Sequence, residues 1–360
     1  MITKKIVLIL GAGASRAYGF PLGAKLKAMI WNIFNGSISS PILWALGAKQ
    51  KDAISISATK ADIKRFNNAL LLSPDYSIDS FLEHHNSRFR EIGKIGIASC
   101  LLPLEKRNYL YDDWMKRYVN SEKNMYTEII PSDGHWYQYL FNRMCEGCDF
   151  TNFADNKLSV ITFNYDRTFE YYLLHSLEAK YGEPISDCAK VLKEIQIIHV
   201  YGSLGELPEL ATNANKAVLY DITQSNEQER MDYYKIAADS LRIIPEERGS
   251  RLDSKHLSSV PSILRGAERI YFLGFGFLDE NMDKIFTETG KEENNILKEV
   301  GGRCYGTAMG MSPHLKKKLA TMGLERIAAD LKNKASIDPI NFPDCNINDF
   351  LIHHPYSKLD

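Results

Sequence analysis

Three short stretches of the chain hold residue types that could do chemistry together. Asn164 carries a side-chain amide that donates and accepts hydrogen bonds at once, so it can fix a water or a hydroxyl without taking a proton itself. His199 carries an imidazole, which titrates near neutrality and suits a general base. Gly11, Ala12, Gly13, Ala14 and Ser15 are all small. Backbone N–H groups in such a run can approach a pyrophosphate, because no side chain stands in the way. The same glycine pair also suits a tight turn that binds nothing, and Arg16 stands where the usual dinucleotide fingerprint has its third glycine.

Each stretch follows a predicted strand. Ile6–Leu10 is an unbroken run of apolar residues, the pattern of a strand buried on both faces of a parallel sheet. Strand signals return at 158–163 ahead of Asn164, and at 195–200 ahead of Tyr201, Gly202 and Ser203. They return again at Arg269–Leu273, ahead of Gly274, Phe275 and Gly276, and near 304–309. Between them the spacing is helical. Leu22, Leu26, Met29, Ile30 and Ile33 mark a helix over 22–34 with a stop at Asn35 and Gly36. From 60 to 147 further helices are marked by Ile63, Phe66 and Leu70, by Ile78, Phe81 and Leu82, by Trp114 and Tyr118, and by Trp136, Leu140 and Met144. A helix follows Asp166 to about Tyr181, 213–247 is polar and helix-compatible, Asp279 can cap another helix, and 313–322 makes a last one.

This alternation predicts an α/β fold: a Rossmann-like, doubly wound parallel sheet with a mainly helical insertion between the first and second strands. The core takes 1–34 and 151–330, the insertion 35–150, and a C-terminal extension 331–360. Ligands in such sheets bind beyond the carboxyl ends of the strands, so the three chemical stretches should meet along one edge. His199 and Tyr201, two apart in a strand, are expected to project together.

The composition bounds the function. At 360 residues the chain can bury a large core, and a formal net charge of −1 argues against a generally basic nucleic-acid binder. No apolar run approaches a membrane span, and the first one is too short and lacks the cleavage site of a signal peptide. Cys100, Cys145, Cys148, Cys188, Cys304 and Cys345 are scattered, which suits reduced thiols in a cytoplasm.

Taken together, the blocks resemble the sirtuin-like NAD-consuming superfamily, most nearly its bacterial antiphage-defence branch. Gly11, Ala12, Gly13, Ser15, Gly19 and Pro21 match its first block, and Asn164 with Asp166 its asparagine–x–aspartate block. Gly202, Ser203 and Leu204 match the end of its histidine–glycine–serine block. Gly274, Phe275, Gly276, Phe277 and Asp279 are similar to the strand end that lies near the adenosine half of NAD in these proteins. The chain also departs from the deacetylases. Leu22-Gly23 replaces a phenylalanine–arginine pair, Phe163 replaces glutamine, and no cysteine pairs of a zinc ribbon follow. Aligned on Gly202, the family's histidine falls on Tyr201, with His199 two residues earlier.

The resemblance implies cleavage of the nicotinamide–ribose bond of NAD to ADP-ribose and nicotinamide, depleting NAD in antiphage defence, with NAD as substrate and no metal. It assigns proton removal to His199 and positioning to Asn164, with Phe163, Asp166, Tyr201, Gly202, Ser203, Gly274 and Gly276 beside the bound nucleotide and N–H groups of 12–15 on the diphosphate. It also implies a homo-oligomer or a partner, such as a HerA-type hexameric DNA-translocating ATPase, without direct nucleic-acid binding. The alternatives are a non-catalytic NAD or ADP-ribose sensor and, less in keeping with the departures, a protein deacylase.

Other candidates have plainer readings. Cys145 and Cys148 have metal-like spacing but lack a second pair, and so read as two thiols at a helix end. His84-His85, His353-His354 and Lys316-Lys317-Lys318 read as surface residues. Asp79 resembles a block of the defence branch ahead of a helix over the pocket, and equally suits a helix start; Asp166 likewise suits a helix cap.

Overall fold

The computed structural model describes residues 1–111, 135–242 and 257–307 apart from 289 and 293, a few positions between 312 and 324, and 347–353. The helix expected around Trp114 and Tyr118, most of that over 313–322 with Lys316, Lys317 and Lys318, the end of 213–247, Cys345, His354 and nearly all of 331–360 lie outside the described residues.

Five strands, β1 (Ile6–Leu10), β2 (Leu158–Thr162), β3 (Gln196–His199), β4 (Arg269–Leu273) and β5 (Cys304–Gly306), form one parallel sheet in the order β3-β2-β1-β4-β5. Every residue of β1 is buried, as its unbroken apolar sequence requires of a central strand covered on both faces. β3 is an edge strand and stays partly exposed. The chain starts in the middle, runs out through β2 to β3, then crosses back to β4 on the other side of β1. The strand order therefore reverses between β1 and β4, the switch point where open α/β sheets leave a crevice.

The sheet is flanked by helices, giving the Rossmann-like α/β class. Between β1 and β2 come α1 (Gly23–Asn35), α2 (Ser40–Ala45), α3 (Ala53–Leu72), α4 (Ile78–Glu83), α5 (Ser87–Leu101), α6 (Arg107–Leu110) and α7 (Trp136–Cys145). Side-chain oxygens of Asp52, Ser77 and Asn86 accept the first N–H groups of α3, α4 and α5. After β2 come α8 (Thr168–Tyr181), closed by Gly182 at φ +71°, and α9 (Ile185–Lys193). α10 (Glu227–Ser240) opens with a capping box between Asn226 and Glu229. It is followed by α11 (Val260–Gly266), α12 (Asp279–Phe286), α13 (Asn295–Val300) and α14 (Ile347–His353). Asp279 is the first residue of α12 rather than its cap, which is Leu278.

The helices of the insertion do not stand apart. α1 packs on α3 and α5, and α10 packs on α2 and α5. Apolar residues of these helices and of the sheet belong to one contiguous core. Among the described residues, no helix is long and apolar enough to cross a membrane.

Candidate active site

The turn after β1 is built by close backbone approach. Gly11 N–H donates to the Leu273 carbonyl at 3.1 Å, and Gly13 N–H to the Gly274 carbonyl at 2.9 Å. A Cβ on Gly11 would lie 2.6 Å from that Gly274 oxygen, and one on Gly274, at φ +59°, would lie 2.2 Å from Ala14 N. Glycine is thus required on both sides of the switch point. Of the N–H groups of 12–15 expected to hold a diphosphate, those of Gly13, Ala14 and Ser15 donate to protein carbonyls in this structure.

The end of β2 distributes its residues one by one. Phe163 packs edge-on between Tyr201 and Phe275, with ring centroids 5.6 and 5.0 Å away. Asn164 donates from its side-chain amide to Ser15 Oγ at 3.0 Å, joining β2 to the glycine turn. Its carbonyl accepts from His199 Nδ1 at 2.8 Å. The Tyr165 hydroxyl donates to Asp79 on α4. Asp166 accepts from Thr168 N–H at 3.3 Å and from the Ser15 hydroxyl, and burial raises its carboxyl above the ordinary range. Its cap role is partial, since the N-cap position itself is Arg167.

His199 is held from both sides. Nδ1 faces the Asn164 carbonyl and Nε2 faces Glu170 Oε1 at 2.5 Å. A carbonyl can only accept, so Nδ1 carries a proton. Burial pulls the imidazole pKa down, but the Glu170 carboxylate and the Asn164 carbonyl outweigh it and the net shift is upward. Both ring nitrogens of His199 are therefore engaged within the protein, Nδ1 by the Asn164 carbonyl and Nε2 by the Glu170 carboxylate.

β3 ends at His199, and this separates it from Tyr201. The expectation that the two project together is corrected here: the chain turns at Val200, and the Tyr201 hydroxyl donates instead to Asn281 Oδ1 on α12 at 2.6 Å. Gly202, at φ +71°, lies against the end of α10, where a Cβ would meet the Ser240 carbonyl at 2.1 Å. Ser203 Oγ donates to the Gly205 carbonyl at 2.8 Å. These two build a turn, whereas space beside Gly276 is open.

The structure thus gathers Gly11–Ser15, Phe163, Asn164, Asp166, His199 and Gly274 at the carboxyl edge of the sheet, with the Tyr201 ring against Phe163, while Gly202 and Ser203 build the turn beyond it. Three groups escaped the sequence reading. Glu170 lies one helical turn beyond Asp166, and that i,i+4 spacing was its available signal. Tyr137, at the start of α7, reaches Ser15. Glu105, with no signal in sequence, accepts from Arg167 N–H at 2.8 Å and from its guanidinium. Asn164, Asp166, Ser15, Glu170 and Tyr137 line a cavity of about 10 Å³, room for roughly one water. Ser15 is 2%, Asp166 6% and Asn164 9% exposed, and Tyr137 of α7 with Phe169 and Glu170 of α8 line the same cavity, so these groups are covered in this structure.

The remaining candidates resolve simply. His84 is exposed and His85 half-buried, its ring between Phe81 and Phe89 with Nδ1 2.6 Å from the Phe81 carbonyl. Asp79 sits in the first turn of α4, as a helix start would place it, and accepts from the Tyr165 hydroxyl. Among the described residues no cluster of three or more His, Cys, Asp and Glu side chains could hold a metal ion. Compared with protein-family models, curated proteins and solved structures, the chain matches none. The fold and site define a Rossmann-like α/β protein with a polar, covered centre beside its switch point.

Proposed function

We propose that this chain is a NAD hydrolase that cleaves the nicotinamide–ribose bond to give ADP-ribose and nicotinamide, acting in antiphage defence by depleting NAD. The observation that carries the reading is the Ser15–Asn164–Asp166 cluster, where a strand-end amide, a hydroxyl and a buried carboxylate meet beside the glycine turn. Cleavage develops positive charge on the ribose and needs a water or ribose hydroxyl delivered to the anomeric carbon. Asn164 orients that oxygen. Asp166, its carboxyl raised by burial, takes the proton, because His199 is engaged on both nitrogens and instead fixes the Asn164 carbonyl. NAD is substrate, and a homo-oligomer or a HerA-type ATPase partner in the cytoplasm fits a site that is covered.

The test is to incubate the purified chain with NAD, alone and with candidate partners, and follow nicotinamide release. Asn164→Ala and Asp166→Asn should abolish release, while His199→Gln, which keeps a donor toward the Asn164 carbonyl, should keep part of it. Release unchanged in Asn164→Ala would refute the assignment. The engaged histidine also favours a second reading, a sensor that binds NAD or ADP-ribose without turning it over. Calorimetric binding with no nicotinamide under any activating condition would select it.

A further inference from the structure

At the opposite end of α7 from Tyr137, the sequence Cys145-Glu146-Gly147-Cys148 makes a turn that the site does not use. Glu146 has φ −63° and ψ 120°, and Gly147 has φ +61°. These are the angles of a type II β-turn, whose third position requires glycine. Cys148 N–H closes it on the Cys145 carbonyl at 3.2 Å. The two cysteines are therefore the first and fourth residues of the turn, a placement that brings Cα atoms within about 7 Å, and disulfides span about 4.4–6.8 Å. The Cys148 thiol donates to Asn152 Oδ1 at 3.1 Å, and the Tyr181 hydroxyl at the end of α8 donates to the Cys148 carbonyl at 3.3 Å, which fixes the second end of the turn. Both cysteines are partly exposed, whereas Cys100, Cys188 and Cys304 are buried, and no atom lies within 4 Å of the space beside Gly147.

We propose that Cys145 and Cys148 form a redox-active dithiol that closes to an intramolecular disulfide by exchange with a low-molecular-weight disulfide. The more exposed Cys148 thiolate attacks one sulfur of the external disulfide, expelling one thiolate and forming a mixed disulfide. The Cys145 thiolate then attacks Cys148 Sγ, forms the internal bond and expels the second thiolate. The two protein thiol protons end on the two expelled thiolates. The dithiol is oxidised by two electrons and the external disulfide is reduced by two. Burial raises both thiols, so closure quickens as pH rises.

The test equilibrates the full chain with oxidised and reduced glutathione, traps free thiols with iodoacetamide and maps the peptides. The expected product is a Cys145–Cys148 peptide lighter by two hydrogens that takes no label, reverts with dithiothreitol, and forms while Cys100, Cys188 and Cys304 stay reduced. Cys145→Ser should instead hold glutathione on Cys148. Glutathione persisting on Cys148 of the unaltered chain with Cys145 still labelled, or both thiols labelled throughout, would overturn the proposal.

Discussion

His199 joins Glu170 on α8 to the backbone of Asn164, and the sign of its shift makes a prediction. A raised imidazole contributes stability that is fully present below its ordinary value of 6.5 and is lost as pH rises through the higher folded value. Glu170→Gln should therefore destabilise the protein most at mildly acid pH and least in alkali, measured as denaturation midpoints across that range. A constant difference would mean the pair does not hold the ring charged. Asn164, Asp166 and His199 were legible in the sequence because polar residues straight after apolar runs mark strand ends. The spacing from Asp166 could have pointed to Glu170, but not to its pairing with His199, since the ring's direction depends on how α8 packs across the sheet.

At the scale of elements, the switch point depends on backbones meeting where a side chain cannot fit. Gly274→Ala places a Cβ against the backbone of Gly13 and Ala14 in a left-handed conformation. It should lower stability by on the order of 1–3 kcal/mol or more, read from urea midpoints. The strands were readable from apolar runs and the glycines from their position after them, although the sequence showed only that a turn was needed, not which backbone it met. The tie to α4 was harder to foresee. α4 is joined to the loop after β2 by the Tyr165–Asp79 bond, and burial raises the Asp79 carboxyl. Tyr165→Phe removes the side-chain donor to that buried carboxyl and should destabilise by about 1–3 kcal/mol. If α4 must lift for substrate, the same variant should bind NAD more readily; unchanged binding would assign the cover to other elements.

In the whole molecule, Glu105 and Arg167 tie the insertion to the strand-end loop. The pair is 0% and 2% exposed at its side chains, and the guanidinium also donates to the carbonyls of Val218 at 2.7 Å, Leu219 at 3.1 Å and Glu206 at 3.2 Å. Burial raises the Glu105 carboxyl and Arg167 pulls it back. Removing either partner leaves a buried charge, so Glu105→Ala should cost about 3–5 kcal/mol, seen as a lower melting temperature with loss of cooperativity between insertion and core. Such long-range pairs cannot be read from one sequence, because the residues are joined only after every intervening element has packed.

The proposal places NAD at the carboxyl edge of β1 and β2. Photo-crosslinking with an azido derivative of NAD, followed by peptide mapping, addresses this without requiring turnover. Label is expected in 11–15, 163–166 and 274–277, competed by unmodified NAD. Competed label confined to other segments, such as the exposed end of α3, would contradict it.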